Sequence, residues 1–279
     1  MIRFSKYHGC GNNFIIVKEM DLCGHISEEK YPELAIKACD INTGIGADGL
    51  IIVREEPELE MVFYNMDGSR APMCGNGIRC MAYFCMNEGI RTEKSYPVKT
   101  LAGDMIVQVT SDEPFMVRIN MGRPVFTPDS IAVNSDRRDF LEQELTIDDG
   151  SKWTVSSLFM GTVHTVVFVE DYDSFDIEYV GRQLCEHPVY TEKTNVNFVR
   201  RIDENTVEMK TYERGVGMTL ACGTGACASV VVANMQGLCK RRTEVILQLG
   251  SLVIEIEDDG NVFMEGPSVK IAEGELLEA

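Results

Sequence analysis

Short runs of β-branched and aromatic residues recur along the whole chain: "FIIV" from Phe14, "GLIIV" from Gly49, "MVFYN" from Met61, "FMVRINM" from Phe115, "TVVFV" from Thr165, "NVNFV" from Asn195 and "TVEMKTYE" from Thr206. Their length and composition predict strands. Toward the C-terminus "TEVILQL", "SLVIEIEDDG" and "NVFMEG" are separated by turn residues, which predicts a meander rather than strand-helix-strand units. Helical periodicity is rarer. "SEEKYPELAIKACD" from Ser27 offers a serine N-cap and a glutamate-rich first turn, and "GIRCMAYFCMNEG" from Gly77 places Ile78, Met81, Ala82 and Cys85 on one face before a glycine stop. "GACASVVVANMQGL" from Gly225 is apolar almost all round and is therefore expected to be buried. The class is α/β, in the α+β sense of many strands and few helices.

One motif occurs twice. "MCGNGIRC" from Met73 and "ACGTGACA" from Ala221 share Cys-Gly-x-Gly at the mouth of an expected helix, with Cys74 and Cys222 148 residues apart. Tyr64-Asn65 precedes Cys74 by ten and nine residues, and Tyr212-Glu213 precedes Cys222 by the same spacing. Strand, turn, cysteine and helix therefore recur in one order, about half a chain apart. This predicts two similar halves, 1–120 carrying Cys74 and 121–266 carrying Cys222, each presenting a cysteine turn to the other. The boundary falls at the polar stretch from about Gly122 to Asp136.

A length of 279 residues fits two ordinary domains, and 44% apolar with 25% charged residues is globular composition. The net charge of −18 argues against a nucleic-acid partner, because phosphate backbones are bound by clustered Lys and Arg. No basic-then-apolar leader opens the chain, and no apolar run approaches a membrane span. A soluble, cytoplasmic protein with no membrane partner is the expectation. Ten cysteines in such a setting stay reduced, and most of them fill cores.

The paired turns suggest chemistry. A helix N-terminus exposes unpaired N–H groups and a partial positive charge, which favour anions and lower the pKa of a cysteine there. Glycine at the next and third positions lets those N–H groups approach a carboxylate closely. Two facing turns would hold one carboxylate between two helix dipoles, with a thiol on either side of the adjacent carbon. One thiolate removes the α-proton, the opposite thiol returns a proton to the other face, and configuration inverts. No organic cofactor is needed, since the developing charge falls where donors already point.

Beyond these arguments, "FSKYHGCGNNF" at the start, "YNMDGSRAPMCGNGIRC" around Cys74, "TNVNFV" around Asn195 and "YERGVGMTLACGTGACA" around Cys222 resemble the diaminopimelate epimerase family, over essentially the whole chain. The resemblance implies two pseudo-symmetric halves of mixed β-structure, each wrapped around a central helix, with the site in the cleft between them and residues 267–279 returning to the first half. It implies a small-molecule amino acid substrate, LL-diaminopimelate converted to the meso isomer for lysine and cell-wall synthesis, no cofactor, no metal, and a homodimer. Carried over by motif, Cys74 and Cys222 are the acid/base pair. Gly75, Asn76, Gly223 and Thr224 give backbone N–H groups to the α-carboxylate, and Asn12 lies near the reacting centre. Asn65, Asn195 and Arg214 hold the distal end, where a guanidinium suits a second carboxylate. Glu213 and His164 stand beside the thiols, to balance their protonation or to bind the α-ammonium.

Three positions depart from the family. Gly161-Thr162-Val163-His164 stands where Gly-Asn-Pro-His is usual, so Thr162 lacks an amide that normally helps fix the distal group; Met218 replaces a usual Glu, and Arg70 an acidic or neutral residue. A related racemase of another polar amino acid, such as histidine, is the alternative these departures leave open, and a non-catalytic carboxylate-binding protein is a third. The latter would not need both cysteines, and an isomerase of the phenazine-biosynthesis type would lack the pair. "GIGADG" from Gly44 has the Gly-x-Gly-x-x-Gly spacing of a dinucleotide fingerprint, but it follows a helix and enters a strand, the reverse of the required context. Cys80, Cys85 and Cys227 form no Cys-x-x-Cys zinc pattern and read as core residues.

Overall fold

The computed structural model describes residues 2–277; residue 1 of the first expected half and residues 278–279 of its returning segment lie outside the described residues. It divides into two units, one running to Ile119 and resuming at Gly266, the other spanning Asn120–Glu265.

In the first unit β1 (Ile2–Gly9) is antiparallel to both β2 (Asn12–Lys18) and the C-terminal strand β17 (Val269–Leu276). Next to β2 runs β3 (Gly49–Arg54), parallel, and then β4 (Glu60–Asn65), antiparallel. A parallel step leads to β5 (Ser95–Thr100), and β6 (Gly103–Asp112) and β7 (Phe115–Asn120) follow as an antiparallel meander. The single-turn α1 (Glu19–Leu22) and the longer α2 (Tyr31–Cys39) lie between β2 and β3, and α3 (Gly75–Asn87) lies between β4 and β5. The buried runs of β2, β3 and β4 have no alternation because helices cover them: Leu34, Ala35 and Ala38 of α2 pack with Ile15, Val17, Leu50, Ile52 and Val62.

The second unit repeats this order. Antiparallel β8 (Phe140–Thr146), β9 (Lys152–Phe159) and β10 (Val163–Phe168) lead to β11 (Asn195–Arg201), parallel to β10, and β12 (Thr206–Glu213), antiparallel to β11. A short β13 (Gly217–Thr219) folds back on β12, after which β14 (Arg242–Leu247) runs parallel to β12, and β15 (Gly250–Ile256) and β16 (Val262–Pro267) form the meander. Helix α4 (Ile177–Cys185) takes the place of α2, and α5 (Gly223–Met235) the place of α3.

The counterpart helices match residue for residue. Both have thirteen residues. Each stops where a glycine takes a left-handed conformation, Gly89 at φ 67° and Gly237 at φ 71°. The chain then turns back alike, Ile90 N–H donating to Cys85 O and Leu238 N–H to Ala233 O, each at 2.8 Å. Helix α5 is buried on nearly every side, as its composition requires, while α3 buries Ile78, Met81, Ala82, Phe84 and Cys85 and leaves Tyr83 and Met86 partly exposed. Among the described residues no helix is long and apolar enough to cross a membrane.

Two local expectations change. Ser27 stands at the N-cap of a 3₁₀ turn over Glu28–Lys30 without a side-chain cap bond, its carbonyl accepting from Lys30 N–H, and the α-helix proper begins at Tyr31, with Pro32 in its first turn where a missing N–H costs nothing. Helix α4 is not among the helices expected from the sequence, though its signal is visible afterwards: Asp176 accepts from the N–H groups of Glu178 and Tyr179, and Val180, Leu184 and Cys185 make a buried stripe. Asp176→Ala is expected to destabilise the second unit by about 1 kcal/mol, the usual worth of an aspartate cap. A thermal midpoint unchanged from wild type would remove that role.

Candidate active site

Cys74 and Cys222 are the N-cap residues of α3 and α5, with extended backbones of φ −134°, ψ 120° and φ −127°, ψ 107°. The N-cap carbonyl closes the first helical bond, Cys74 O accepting from Ile78 N–H at 2.8 Å and Cys222 O from Ala226 N–H at 2.9 Å. Each thiol thus stands beside the unpaired N–H groups of the first turn. The glycine three residues on is required by space: a Cβ on Gly77 would lie 3.3 Å from the Cys74 Cβ, and one on Gly225 the same distance from the Cys222 Cβ. None of the ten cysteines is in a disulfide. Burial raises the pKa of the core ones, Cys39, Cys80 and Cys85 to about 12, which leaves them unreactive at neutral pH.

In the first unit Cys74 is joined to two of the expected residues. Its Sγ lies 3.9 Å from Asn12 Oδ1, which also accepts from Asn76 Nδ2 at 3.1 Å. Two residues that carried no assignment hold these amides in place. Asp48 Oδ2 accepts from Asn12 Nδ2 at 2.8 Å and from Asn13, and the fully buried Arg79 donates to Asn76 Oδ1 at 3.0 Å, to Gly75 O and to Pro267 O. Arg79 is fixed tightly enough that a Cβ on Gly9 would lie 2.8 Å from its Nη2. Asn65, paired with Gly49 next to Asp48, donates to Ser69 Oγ at 2.9 Å in the turn after β4. Arg70 turns away toward Glu28 and Glu60, at 3.9 and 3.8 Å, over the ring of Tyr64.

In the second unit a chain of side chains ends at Cys222. Its Sγ is 3.5 Å from Thr224 Oγ1, which is 2.9 Å from His164 Nε2, while His164 Nδ1 is 3.1 Å from Asn197 Nδ2. His164 is wholly buried, and that burial, with Arg214 nearby, lowers its pKa to about 3. It is a neutral imidazole at working pH. A second group forms around Arg214, whose guanidinium donates to Thr162 Oγ1 at 3.1 Å and Glu192 O at 3.2 Å and whose N–H donates to Asn195 Oδ1 at 2.9 Å. Thr162 therefore receives the arginine directly, with its hydroxyl in place of an amide. Glu213 accepts from Thr219 Oγ1 at 2.6 Å, and Met218, opposite Tyr212 on β13, is exposed.

Asn197 and Arg79 lie inside "TNVNFV" and "MCGNGIRC", and the sequence alone gives neither a role. The available signal was a polar side chain in an otherwise apolar strand or helix stripe. "GIGADG" follows α2 and enters β3, with Gly44 packed so closely on α2 carbonyls that a Cβ would overlap Lys37 O.

The family model described as diaminopimelate epimerase matches residues 4–127 and 156–271. A diaminopimelate epimerase of Alkaliphilus metalliredigens is 41% identical over 99% of this chain and 98% of its own, and one of Acetivibrio thermocellus is 39% identical over the same shares. Among solved structures, a phenazine biosynthesis protein of the PhzF family from Bacillus anthracis superposes with a TM-score of 0.70 at 16% identity, covering 99% of both chains. A hydroxyproline epimerase from Agrobacterium vitis superposes at 0.69 and 12%, covering 98% of this chain and 91% of its own. These two share the fold of two pseudo-symmetric domains.

The buried neutral histidine makes a pH prediction. Its folded pKa lies below the ordinary 6.5, so below that pH the unfolded chain binds a proton that the folded chain refuses, and stability falls as pH drops from about 6.5 toward 3. His164→Gln is expected to flatten stability against pH between 6.5 and 5 by up to about 1.4 kcal/mol per pH unit. Denaturant unfolding of both proteins at several pH values in that window measures it, and equal slopes would mean that His164 titrates normally.

Proposed function

The chain belongs to the diaminopimelate epimerase family and is an isomerase, and from that premise we propose that it converts LL-diaminopimelate to the meso isomer in the cytoplasm by two-base proton transfer between Cys74 and Cys222. The observation that carries the reading is the matched pair of N-cap cysteines, each on a glycine-opened helix N-terminus. In the proposed step one thiolate takes the α-proton: the C–H bond breaks, an S–H bond forms, and the electron pair spreads into the α-carboxylate. N–H groups at Gly75, Asn76, Gly223 and Thr224 stabilise the charge that develops there. The other thiol then gives its proton to the opposite face and is left as the thiolate. Protons and charge balance over the turnover, with no cofactor.

Arg214, with Asn65 and Asn195, is the proposed holder of the distal ammonium and carboxylate. Support comes from the Arg214 guanidinium, which is exposed at its tip while Thr162 and the Glu192 carbonyl orient it. A site of this kind rejects ligands that leave its polar groups unpaired. The second reading, a racemase of another polar amino acid such as histidine, rests on Thr162 standing where the family has Asn.

Following α-hydrogen exchange by NMR in deuterium oxide, across LL- and meso-diaminopimelate, histidine, lysine and alanine, separates the two. Diaminopimelate is expected to give the highest kcat/KM and alanine little or none; a higher value for histidine would replace the substrate and keep the chemistry. Cys74→Ala and Cys222→Ala are each expected to abolish inversion, and more than a few per cent of wild-type activity in either would refute the two-base mechanism. Arg214→Met is expected to lower kcat/KM for diaminopimelate about a hundredfold, the scale of a lost charged hydrogen bond with its neighbours left unpaired.

A further inference from the structure

The two cysteine turns are alike in backbone and unlike in what stands behind them. Strand register identifies the counterparts. Phe14 pairs with Gly49 as His164 does with Asn195, and Leu50 pairs with Tyr64 as Val196 does with Tyr212. His164 therefore occupies the place of Phe14, Asn197 that of Ile51 and Thr211 that of Phe63. The helix glycines agree: a Cβ on Gly77 would meet Ile51 Cδ1 at 3.1 Å, and one on Gly225 would overlap Asn197 Oδ1. Behind Cys74 the wall is apolar, with the Phe14 and Phe63 rings edge to face. Behind Cys222 it is built from His164, Asn197 and Thr211, all at most 2% exposed. An apolar set fills the same place in the first unit, so packing alone does not call for three buried polar groups, which cost free energy unless each is hydrogen-bonded.

The direction of each hydrogen bond follows from groups that can act in only one sense. The Thr165 carbonyl oxygen only accepts, and Asn197 Nδ2 lies 3.4 Å from it, so the Asn197 amide presents its N–H groups on that side. Asn197 Oδ1 then faces Thr211, whose hydroxyl donates to it at 3.1 Å. The same Nδ2 must donate to His164 Nδ1, which makes Nδ1 the acceptor and puts the imidazole proton on Nε2. Nε2–H donates to Thr224 Oγ1, and the Thr224 hydroxyl proton is left for Cys222 Sγ at 3.5 Å.

In the first unit the same tracing gives the opposite result. Arg79 only donates, so Asn76 Oδ1 accepts from it and Asn76 Nδ2 donates to Asn12 Oδ1. The Asp48 carboxylate accepts from Asn12 Nδ2, which also turns Asn12 Oδ1 toward the thiol. What Asn12 offers Cys74 Sγ is an acceptor, which suits S–H.

We propose that Asn197, His164 and Thr224 form a one-way hydrogen-bond relay that holds Cys222 as the thiolate of the unliganded enzyme, while Asn12 holds Cys74 as the thiol. The proton released from Cys222 goes to solvent. Asn197 and His164 are positioning residues that act through Thr224. Arg214 is a charged neighbour of His164, and Glu213, next to it in the chain, accepts from Thr219; Cys80, on the helix behind Cys74, has Arg79, Cys74 and Cys10 around it. Arg79 favours a Cys74 thiolate and so opposes the Asn12 effect, with its charge spread over three carbonyl oxygens, and the measurement below weighs the two. The catalytic consequence rests on the two-base reading: the isomer whose α-hydrogen faces Cys222 reacts with the resting enzyme directly. Its epimer must wait for a proton to move from Cys74 to Cys222.

Alkylation of the whole protein with iodoacetamide across a pH series, followed by peptide-resolved quantification of Cys74 and Cys222, tests this without turnover. Each site is normalised to its own plateau, which removes the difference in exposure. The Cys222 midpoint is expected at least one pH unit below that of Cys74, a tenfold difference in thiolate fraction on the rising limb. Thr224→Val is expected to raise the Cys222 midpoint by about one unit and leave Cys74 where it was, and Thr224→Ser to restore the wild-type value. Equal or reversed midpoints in the wild type, or a Cys222 midpoint that ignores Thr224→Val, would overturn the proposal and leave the epimerase reading untouched. Loss of that reading in the cysteine variants would equally leave the two midpoints standing.

Discussion

A helix needs something at its first turn to meet four N–H groups that have no partner within the helix, and in this chain both central helices leave that turn to a cysteine and two glycines. Much else in each unit serves to keep that turn open while the body of the helix is buried. The glycine at the third helical position is dictated by the cysteine Cβ, and the apolar helix body by the strands around it. The left-handed glycine at the far end returns the chain to β5 in one unit and to β14 in the other. A serine or aspartate cap would satisfy the N–H groups with its own oxygen. Neither cysteine side chain makes such a cap hydrogen bond.

Two units of like strand order give two such turns, and different residues lie beneath them. In the first unit a buried guanidinium and an aspartate fix two asparagine amides; in the second a neutral imidazole and one asparagine fix a threonine hydroxyl. Hydrogen-bond polarity propagates through side chains because each amide or imidazole that donates at one end must accept at the other. A carbonyl or a guanidinium at the root of the chain therefore decides what reaches the sulfur. Burial and Arg214, which lower the pKa of His164, keep it the neutral imidazole that can accept from Asn197.

The relatives and the fold speak to different things. Identity near 40% over the whole chain places it in its family. Identity of 12–16% with equally complete superposition describes a scaffold shared by proteins with other names. Within this scaffold Thr162 shows how a departure can be accommodated: Gly161 and Gly11 both adopt positive φ, so Thr162 holds the backbone place of Asn12 in the duplicated unit. Its hydroxyl accepts from Arg214, where Asn12 answers the cysteine.

Periodicity and composition made the apolar strands, the C-terminal meander, the two cysteine helices and the repeat legible, because each depends on neighbours within a few residues or on a motif copied whole. Cys74 and Cys222 could be singled out because Cys-Gly-x-Gly at a helix mouth occurs twice in matching context. In the sequence Ser27 and Asp176 are equally good cap residues, yet only Asp176 makes a side-chain cap bond, and only the packing of Val180 and Leu184 with Val163, Val167, Val196 and Phe198 shows that its helix is a buried one. Arg79 and Asn197 show in the sequence only as polar residues within apolar stripes, and Asp48 shows no local signal at all. Their roles arise from contacts across as many as 188 residues of sequence, as between Arg79 and Pro267. The direction in which a hydrogen bond points is a property of the assembled partners, and those that fix it here come from distant stretches, Asn197 with His164 33 residues away and Asn76 with Asn12 64 away.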